Sequence, residues 1–229
     1  MNDRLSRLAI TQSPLFNDWP DEAIARLLAN SDVLIVEART LVHRAGDDAE
    51  HLLIVVSGSM SLSKDMPSGR SFSAAVQLPG DFHGLAPVIS KEPYIHTVMC
   101  KEKTVLVRIA GEVLREIIAA NGRLSFSLFS ALEKRYLQAL NLHASAAVNS
   151  IQTRIAALLK SIAERSVKGR ASTDINLSQD EIATMLGTRR QVVNRALREM
   201  MAEGVIQVQY GRIAIVDSAK LDSMALESV

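Results

Sequence analysis

The chain has 229 residues, of which 48% are hydrophobic and 22% charged, as expected for a globular protein of one or two domains. The single cysteine, Cys100, excludes an intramolecular disulfide, a cysteine-rich zinc site and a four-cysteine iron–sulfur cluster, and it indicates a cytoplasmic location. The net charge of +1 does not by itself predict a nucleic-acid partner. Neither a secretory signal nor a membrane span is predicted.

Short apolar runs separated by turn residues follow a first helix. The helix is predicted at residues 20–30, because Pro20 suits a first helical turn and apolar residues recur on one face. Several short strands with turns every 8–12 residues are typical of a small antiparallel barrel or roll. The predicted strands are Val33–Glu37, His51–Ser57, Met60–Ser63, Ser71–Leu78, Tyr94–Cys100 and Thr104–Ile109.

A helical pattern then replaces the strands. Helices are predicted at Glu112–Ala120 and from Arg123 to about Val148, since the second stretch contains neither proline nor glycine. We interpret its apolar stripe as a surface that packs against a second copy of the chain, and the alternative is a core helix of one monomer. The stripe comprises Leu124, Leu128, Ala131 or Leu132, Arg135 and Leu142.

The most informative stretch is a predicted helix-turn-helix in the last third of the chain. Ser178 and Glu181 form a capping-box pattern at the start of a short helix. Gly187 can close that helix in a left-handed conformation, and Thr188 is predicted to cap a second helix, Arg189–Glu203. Two helices joined by so short a turn allow the second one to enter a DNA major groove.

The second helix is rich in groups that bind DNA. Four arginines and no acid lie between Glu181 and Glu199, whereas a merely solvated helix face usually mixes both charge signs. Arginine pairs with guanine, and glutamine or asparagine pairs with adenine, although Gln191 could instead form a capping box with Thr188. A predicted hairpin follows and adds one more arginine near the phosphates. The candidate DNA contacts are Thr188, Arg189, Arg190, Gln191, Asn194, Arg195 and Arg212.

The order of these parts resembles the cyclic-AMP receptor protein / fumarate-nitrate regulator (CRP/FNR) family of bacterial transcription factors. The resemblance is carried by LSQDEIA and GTRRQVVNRAL within residues 177–197, by IVVSGSM at 54–60 and by PGDFHG at 79–84. It implies an α+β fold with an N-terminal antiparallel β-roll of the cyclic-nucleotide-binding type at 1–122. A long dimerisation helix at 123–149 and a C-terminal winged helix-turn-helix at 150–229 would follow.

The resemblance also implies partners. These are a second copy of the chain in a homodimer, double-stranded DNA with an inverted repeat, and RNA polymerase if the protein is an activator; no membrane partner is implied. The base-reading positions of the family fall on Arg190, Gln191, Asn194 and Arg195. Family members often carry glutamate where Gln191 stands, so the usual half-site is not expected.

The effector site departs from the family pattern. In cyclic-nucleotide binders an Arg-Ser/Thr pair neutralises the phosphate, but Tyr94-Ile95-His96 occupies that region here and Ala139-Leu140 replaces a hydroxyl pair of the long helix. Because a buried phosphate without a cationic partner is costly, cyclic AMP is not expected to be a tight effector. A different small molecule and an active ligand-free form both stay open. The candidate pocket residues are Gly80, Asp81, Leu85, Tyr94, Ile95, His96 and Ala139.

Other chemistries receive less support, and no catalytic residue, metal site or cofactor is predicted. His83 and His96 could meet near the pocket, but an ordinary core or surface role is favoured over haem or metal binding. Cys100 is expected to be a buried strand residue rather than a redox sensor. A cupin-type enzyme needs a His-x-His motif that the sequence lacks. A regulatory module that binds a nucleotide or metabolite and acts through protein partners would leave the arginine-rich helix without a use.

Overall fold

A computed structural model of the chain describes residues 2–65, 71–165, 174–209 and 212–226. The chain divides into two compact units, Met1–Arg135 (unit 1) and Tyr136–Val229 (unit 2). The described helices are α1 (Asn2–Gln12), α2 (Asp21–Ala29), α3 (Leu85–Ser90), α4 (Gly111–Ala120), α5 (Ser125–Val148), α6 (Ile151–Arg165), α7 (Gln179–Met185), α8 (Arg190–Ala202) and α9 (Ser218–Leu226), with short 3-10 turns at Pro14–Phe16 and Gly122–Leu124.

Unit 1 is an antiparallel β-roll flanked by helices. One four-stranded sheet has the order β1-β8-β3-β6, and the other has the order β2-β7-β4-β5. Its strands are β1 (Ser31–Val36), β2 (Leu41–His43), β3 (His51–Ser57), β4 (Met60–Asp65), β5 (Ser71–Gln77), β6 (Phe82–His83), β7 (Thr97–Cys100) and β8 (Thr104–Ala110). The predicted α+β fold is confirmed.

Strand β3 explains why the roll has two hydrophobic layers. Leu52 and Ile54 belong to the core formed with the helices, whereas Val55 belongs to the core between the two sheets. Successive side chains of a strand point to opposite faces, so a strand covered on both sides needs an almost continuous apolar run. The run from Leu52 to Val55 is fully buried, as this argument requires.

The beginning of α5 is anchored to the N-terminal part of unit 1. The indole Nε1 of Trp19 donates to the Leu124 carbonyl at 3.1 Å and to Ser127 Oγ at 2.8 Å. Leu124, Leu128 and Ala131 are buried in the same core. The first part of the predicted dimer stripe therefore serves the core of one monomer, and its assignment to a dimer contact was wrong; the side chain of Leu142 lies outside the described residues.

Unit 2 has the architecture of a winged helix-turn-helix. Strands β10 (Ile206–Gln209) and β11 (Arg212–Ile215) form a hairpin, and β9 (Asp174–Ile175) pairs with β11 to complete a three-stranded sheet. The Ile175 and Ile213 side chains are buried and lie opposite each other in the register. Helix α8 packs on α7, on α6 and on strand β10, and α9 packs on α6.

Several predicted bounds differ from the structure. The strand predicted to start at Tyr94 starts at Thr97, and the strands β2 and β6 and the helices α1, α3 and α9 were missed. Strands of two or three residues are too short to show a period, and α3 has a proline, Pro87, in its first turn. The sequence also predicts a polar loop at residues 169–172 and a hairpin turn at residues 210–211, and both lie outside the described residues. Within the described part of the chain, no helix combines the length and apolar character needed to cross a membrane.

Candidate nucleic-acid interface

The first helix of the pair, α7, begins with the predicted capping box. Ser178 Oγ accepts a hydrogen bond from the Glu181 amide at 3.3 Å, and the Glu181 carboxylate accepts one from the Ser178 amide at 2.8 Å. This reciprocal pair satisfies two backbone donors at the helix N-terminus. The inward side of α7 buries Ile182 and Ala183, so its start and its orientation are both fixed locally.

The turn after α7 is closed by glycine. Gly187 has φ +61°, its amide donates to the Thr184 carbonyl at 3.1 Å, and the Thr188 amide donates to the Ala183 carbonyl at 2.8 Å. These two bonds are those of a Schellman motif, which favours glycine at the left-handed position. The residue that caps α8 is Arg189 rather than Thr188, and no side-chain cap bond is formed there.

Helix α8 separates an inward apolar face from an outward polar face. Val193, Ala196, Leu197 and Met200 are buried in unit 2. The apolar pattern of the sequence also predicts Val192 in this stripe, but Val192 is 41% exposed. Its angular position on the helix places it at the edge of the stripe, about 90° from the middle of the buried face. The exposed side opposite the stripe is formed by Gln191, Arg195 and Arg198.

Three of the predicted base-reading side chains are held by other residues. Arg190 Nη1 donates to Asp180 at 3.1 Å, and Asn194 Nδ2 donates to Gln179 Oε1 at 2.8 Å. Both partners belong to α7. The third contact is within α8, where Arg195 Nε donates to Glu199 at 3.0 Å.

The arginine contacts leave the guanidinium edges available. Among the described residues, Arg195 is bound to Glu199 through Nε alone, so its two Nη atoms can still form a bidentate pair with guanine, and its side chain is 82% exposed. Glu199 is in turn held by Gln152 of α6 at 2.5 Å. The ion pairs therefore orient the arginines without occupying every donor.

Gln191 differs from its neighbours. It is exposed, and among the described residues no hydrogen bond holds its side chain, so the alternative capping box with Thr188 is not formed. Thr188 is partly exposed and Arg189 exposed at the N-terminal end of α8, where amides and a positive dipole favour phosphate. Arg212 is exposed at the start of β11, opposite Gln209.

The structure places the candidate effector residues in different surroundings. Gly80 and Asp81 form a turn, in which the Asp81 carboxylate accepts from the Leu78 amide at 2.9 Å. Leu85 lies in the helical core, whereas Ile95 is 60% exposed. Ala139 is an exposed residue of α5 and belongs to unit 2, whereas the other candidates belong to unit 1.

Tyr94 fills the region where the resemblance places a phosphate-binding arginine. Its hydroxyl donates to the His51 carbonyl at 2.6 Å, and its ring stacks on His43 with centroids 3.7 Å apart. A Cβ on Gly84 would lie 2.9 Å from this ring, and Gly84 has φ +87°. The residue at position 84 must therefore be small for Tyr94 to take its place.

Two histidines extend this aromatic stack. His43 Nε2 and His83 Nε2 lie 3.2 Å apart, and His96 approaches His83 with ring centroids 6.3 Å apart. Burial lowers the pKa of His43 to about 4 and that of His83 to about 3, and burial also lowers the pKa of His96. The imidazoles of His43 and His83 are therefore neutral near pH 7, so one donates and the other accepts.

The surroundings of the stack favour neutral groups. The Arg135 guanidinium lies 3.4 Å from the Phe82 ring centroid and donates to the Phe82 carbonyl at 2.6 Å, and its charge contributes to the low pKa of His83. In the part of the chain that the structure describes, no group of three His, Cys, Asp or Glu side chains could hold a metal ion. Cys100 is buried, which raises the pKa of its thiol and does not suit a redox sensor.

The sequence reasoning missed the residues that hold the recognition side chains. Gln179, Asp180, Glu199 and Gln152 were not among the candidates, and the role of His43 depends on the unpredicted strand β2. Gln179 and Asp180 lie 15 and 10 residues from their partners, so no helical period relates them. Only the Arg195–Glu199 spacing of four residues was visible as a helix pair.

Comparison with known families assigns both halves of the chain. Residues 33–121 match the family described as the cyclic nucleotide-binding domain, and residues 153–224 match the Crp-like helix-turn-helix domain. The first match contains the strands of the roll from Val33 onward, and the second contains the two helices α7 and α8.

Individual relatives agree with these matches. A regulator of Mycobacterium tuberculosis named "CRP-like cAMP-activated global transcriptional regulator" is 24% identical over 215 residues, which are 93% of this chain and 96% of that protein. A putative cyclic nucleotide binding protein of Ruegeria pomeroyi has the same fold, with a TM-score of 0.77, 18% identity, and coverage of 98% of this chain and 99% of that one. The c-di-GMP responsive global regulator CLP of Xanthomonas campestris gives a TM-score of 0.64 and 22% identity over 86% of this chain and 100% of that one.

Proposed function

We propose, starting from the fact that the chain belongs to the CRP/FNR family of DNA-binding transcriptional regulators, that it acts as a homodimer which reads an inverted repeat. The observation that carries the proposal is the outward face of α8. Gln191, Arg195 and Arg198 project there from a helix whose other side is locked in the core of unit 2. A protruding helix with this face fits a major groove, with arginines near phosphates and base edges.

The dimer contact in this proposal is a second face of α5. Large apolar side chains are exposed on the side opposite the buried stripe: Phe126 is 70% exposed, Phe129 67% and Tyr136 64%. With Glu133 and Leu140 they follow the 3-4 spacing of a coiled-coil seam. Exposed phenylalanines at such positions are typical of a protein–protein contact.

Each part of the chain has a task in the proposed dimer. Residues 1–122 form the sensor part, residues 123–149 the dimerisation helix, and residues 150–229 the DNA-binding part. Two copies of α8 related by a two-fold axis would enter successive major grooves about 34 Å apart.

Cyclic AMP is not the effector in this proposal, although the relative from Mycobacterium tuberculosis is named as cAMP-activated. Tyr94 is buried where a phosphate partner would be needed, and its hydroxyl is already bonded to the His51 carbonyl. The neutral pair of His43 and His83 supplies no cation to replace the missing arginine. The protein therefore binds DNA either without a ligand or with a small molecule of another class.

Selection of bound sequences from a random duplex pool tests the DNA-binding part of the proposal. Purified protein without added ligand, at near-physiological salt, is expected to enrich an inverted repeat with half-sites about 10–11 base pairs apart. Salt-sensitive binding without enrichment of any sequence would contradict the proposal that the ligand-free protein recognises its operator. No binding at low salt would overturn the DNA-binding proposal and favour a module that acts through protein partners.

Sedimentation of a seam variant tests the dimer. Phe129→Asp places a charge in the proposed contact and is expected to convert the dimer to a monomer. Ser130→Asp is the matched control, because Ser130 is exposed on the same helix but outside the seam. A wild-type protein that is monomeric at micromolar concentration, or a Phe129→Asp variant that stays dimeric, would contradict the seam.

A further inference from the structure

The Asn194 amide is held by a side chain of the preceding helix. Its Nδ2 donates to Gln179 Oε1 at 2.8 Å, and both residues are partly buried. Gln179 is the first residue of α7, whose position is fixed by the capping box of Ser178 and Glu181. The partner of Asn194 therefore stands on a rigid support rather than on a loop.

We propose that Gln179 is a positioning residue for DNA recognition, which sets the base preference of the protein by fixing the orientation of the Asn194 amide. The inference rests on the proposed function. An amide side chain that can turn over offers either its carbonyl oxygen or its amino group to the same base edge, and it then discriminates poorly. In this structure Gln179 presents its Oε1, which can only accept, so the Asn194 amide is held with its amino group toward α7.

The fixed orientation has a definite chemical consequence. With one Nδ2 proton bonded to Gln179, Asn194 keeps its Oδ1 acceptor and a second Nδ2 proton for the DNA. An acceptor beside a donor is the pattern that pairs with N6 and N7 of adenine in the major groove. The arrangement therefore favours adenine at the base that Asn194 faces and disfavours guanine, whose O6 and N7 are both acceptors.

The neighbouring contact between Asp180 and Arg190 is of a different kind. Their side chains are 64% and 62% exposed, so the ion pair is screened by solvent and exchanges readily with phosphate. Asp180 also brings a negative charge near the DNA backbone. It affects affinity for any duplex, whereas Gln179 acts on one base position through Asn194.

The experiment measures dissociation constants at fixed salt for the selected operator and for operators substituted at each half-site base pair. Gln179→Ala and Asn194→Ala are expected to relax the same base-pair position, each by about tenfold in preference. The double variant is expected to relax it no further, because the two residues act as one unit. Gln179→Glu keeps an acceptor for Asn194 and is expected to retain the preference, with weaker overall affinity from its charge.

Asp180→Ala is the matched control on the same helix. It is expected to strengthen binding to all operators and to leave unchanged the preference at the base pair that Asn194 faces, because Asp180 contacts Arg190 and not Asn194. Side-chain amide NMR without DNA adds an independent readout: the bonded Asn194 Nδ2 proton should move toward the shift of a free amide in Gln179→Ala, and in the opposite direction in Gln179→Glu, whose carboxylate is a stronger acceptor.

The outcomes distinguish this inference from the proposed function. If the wild-type protein selects no operator, the proposed function fails and the inference fails with it. If the wild type selects an operator but Gln179→Ala weakens all substituted operators evenly, Gln179 is a phosphate contact and the inference alone is overturned. Relaxation at a position other than that of Asn194 would overturn it as well.

Discussion

In unit 1, the imidazoles of His43 and His83 lie buried 3.2 Å apart and satisfy each other, whereas in unit 2 the guanidinium groups of Arg190 and Arg195 lie exposed and are held by single carboxylate contacts. In the first arrangement the two imidazoles are buried and neutral. The second keeps charge at the surface and can exchange its partners for phosphate or bases. The same family fold thus carries a closed polar cluster at one end of the sequence and an open one at the other.

The largest expected effect is the loss of folding stability in acid, which comes from the closed cluster of His43 and His83. The folded-state pKa values of His43 (about 4) and His83 (about 3) lie below the ordinary 6.5, so the unfolded chain binds more protons below pH 6.5. Stability is complete above pH 6.5 and is lost as the pH falls from there toward pH 4 and pH 3. The loss between pH 7 and pH 5 is expected to be roughly 4 kcal/mol for the two histidines together.

Urea unfolding followed by Trp19 fluorescence measures this loss, because Trp19 is the only tryptophan and is buried in unit 1. The variant His43→Gln/His83→Gln should show a flatter pH dependence even if its stability at pH 7 is reduced. His96→Gln, at the edge of the cluster, should retain most of the slope. A wild-type midpoint that is constant from pH 7 to pH 5 would contradict buried neutral imidazoles.

The open cluster should respond to loss of a charge by losing DNA affinity rather than stability. Arg195→Ala is expected to weaken operator binding by about 10–100-fold, since a bidentate arginine–guanine pair contributes about 1–3 kcal/mol of discrimination. The loss should fall mainly on the selected operator and little on random DNA. Fluorescence anisotropy with both duplexes at matched salt measures it.

Arg212→Ala is the comparison variant for a phosphate contact. It should weaken binding evenly across sequences and reduce the salt slope of the binding constant by about one. Unchanged operator affinity in Arg195→Ala would remove that residue from the reading surface. Equal effects of the two variants on both duplexes would mean that Arg195 also contacts only phosphate.

A smaller effect is expected at the capping box of α7, the helix whose side chains hold Arg190 and Asn194. Ser178→Ala removes the acceptor for the Glu181 amide and should destabilise α7 by about 1 kcal/mol. Ser161→Ala, in the exposed interior of α6, is the matched control and should be neutral or slightly stabilising. Amide hydrogen exchange in α7 reports the difference, and equal protection in both variants would show that the capping box does not stabilise the helix.

The contrast between the clusters also explains what could be predicted from the sequence. The capping box, Gly187 and the arginines of α8 all lie between Ser178 and Arg198, so helix periods and capping rules were enough to place them. The contact between His43 and His83 joins positions 40 residues apart and needs the register of β3 with β6. The prediction that the α5 stripe forms a dimer contact failed for a related reason. Helix α5 has two apolar faces, and the sequence pattern alone does not show which of them is buried in the core of the monomer.

The smallest expected effect is that of cyclic AMP on unit 1. A ligand present at 100 times its dissociation constant stabilises a folded protein by about 2.7 kcal/mol, so even 10 μM affinity would be visible at 1 mM nucleotide. Because Tyr94 packs on Gly84 and its hydroxyl is bonded to His51, binding the phosphate would require this side chain to leave the core. No measurable shift of the Trp19 unfolding transition is therefore expected. A saturable increase in stability would mean that the aromatic stack opens to admit the nucleotide. The closed cluster would then be able to exchange its partners, as the open cluster is expected to do.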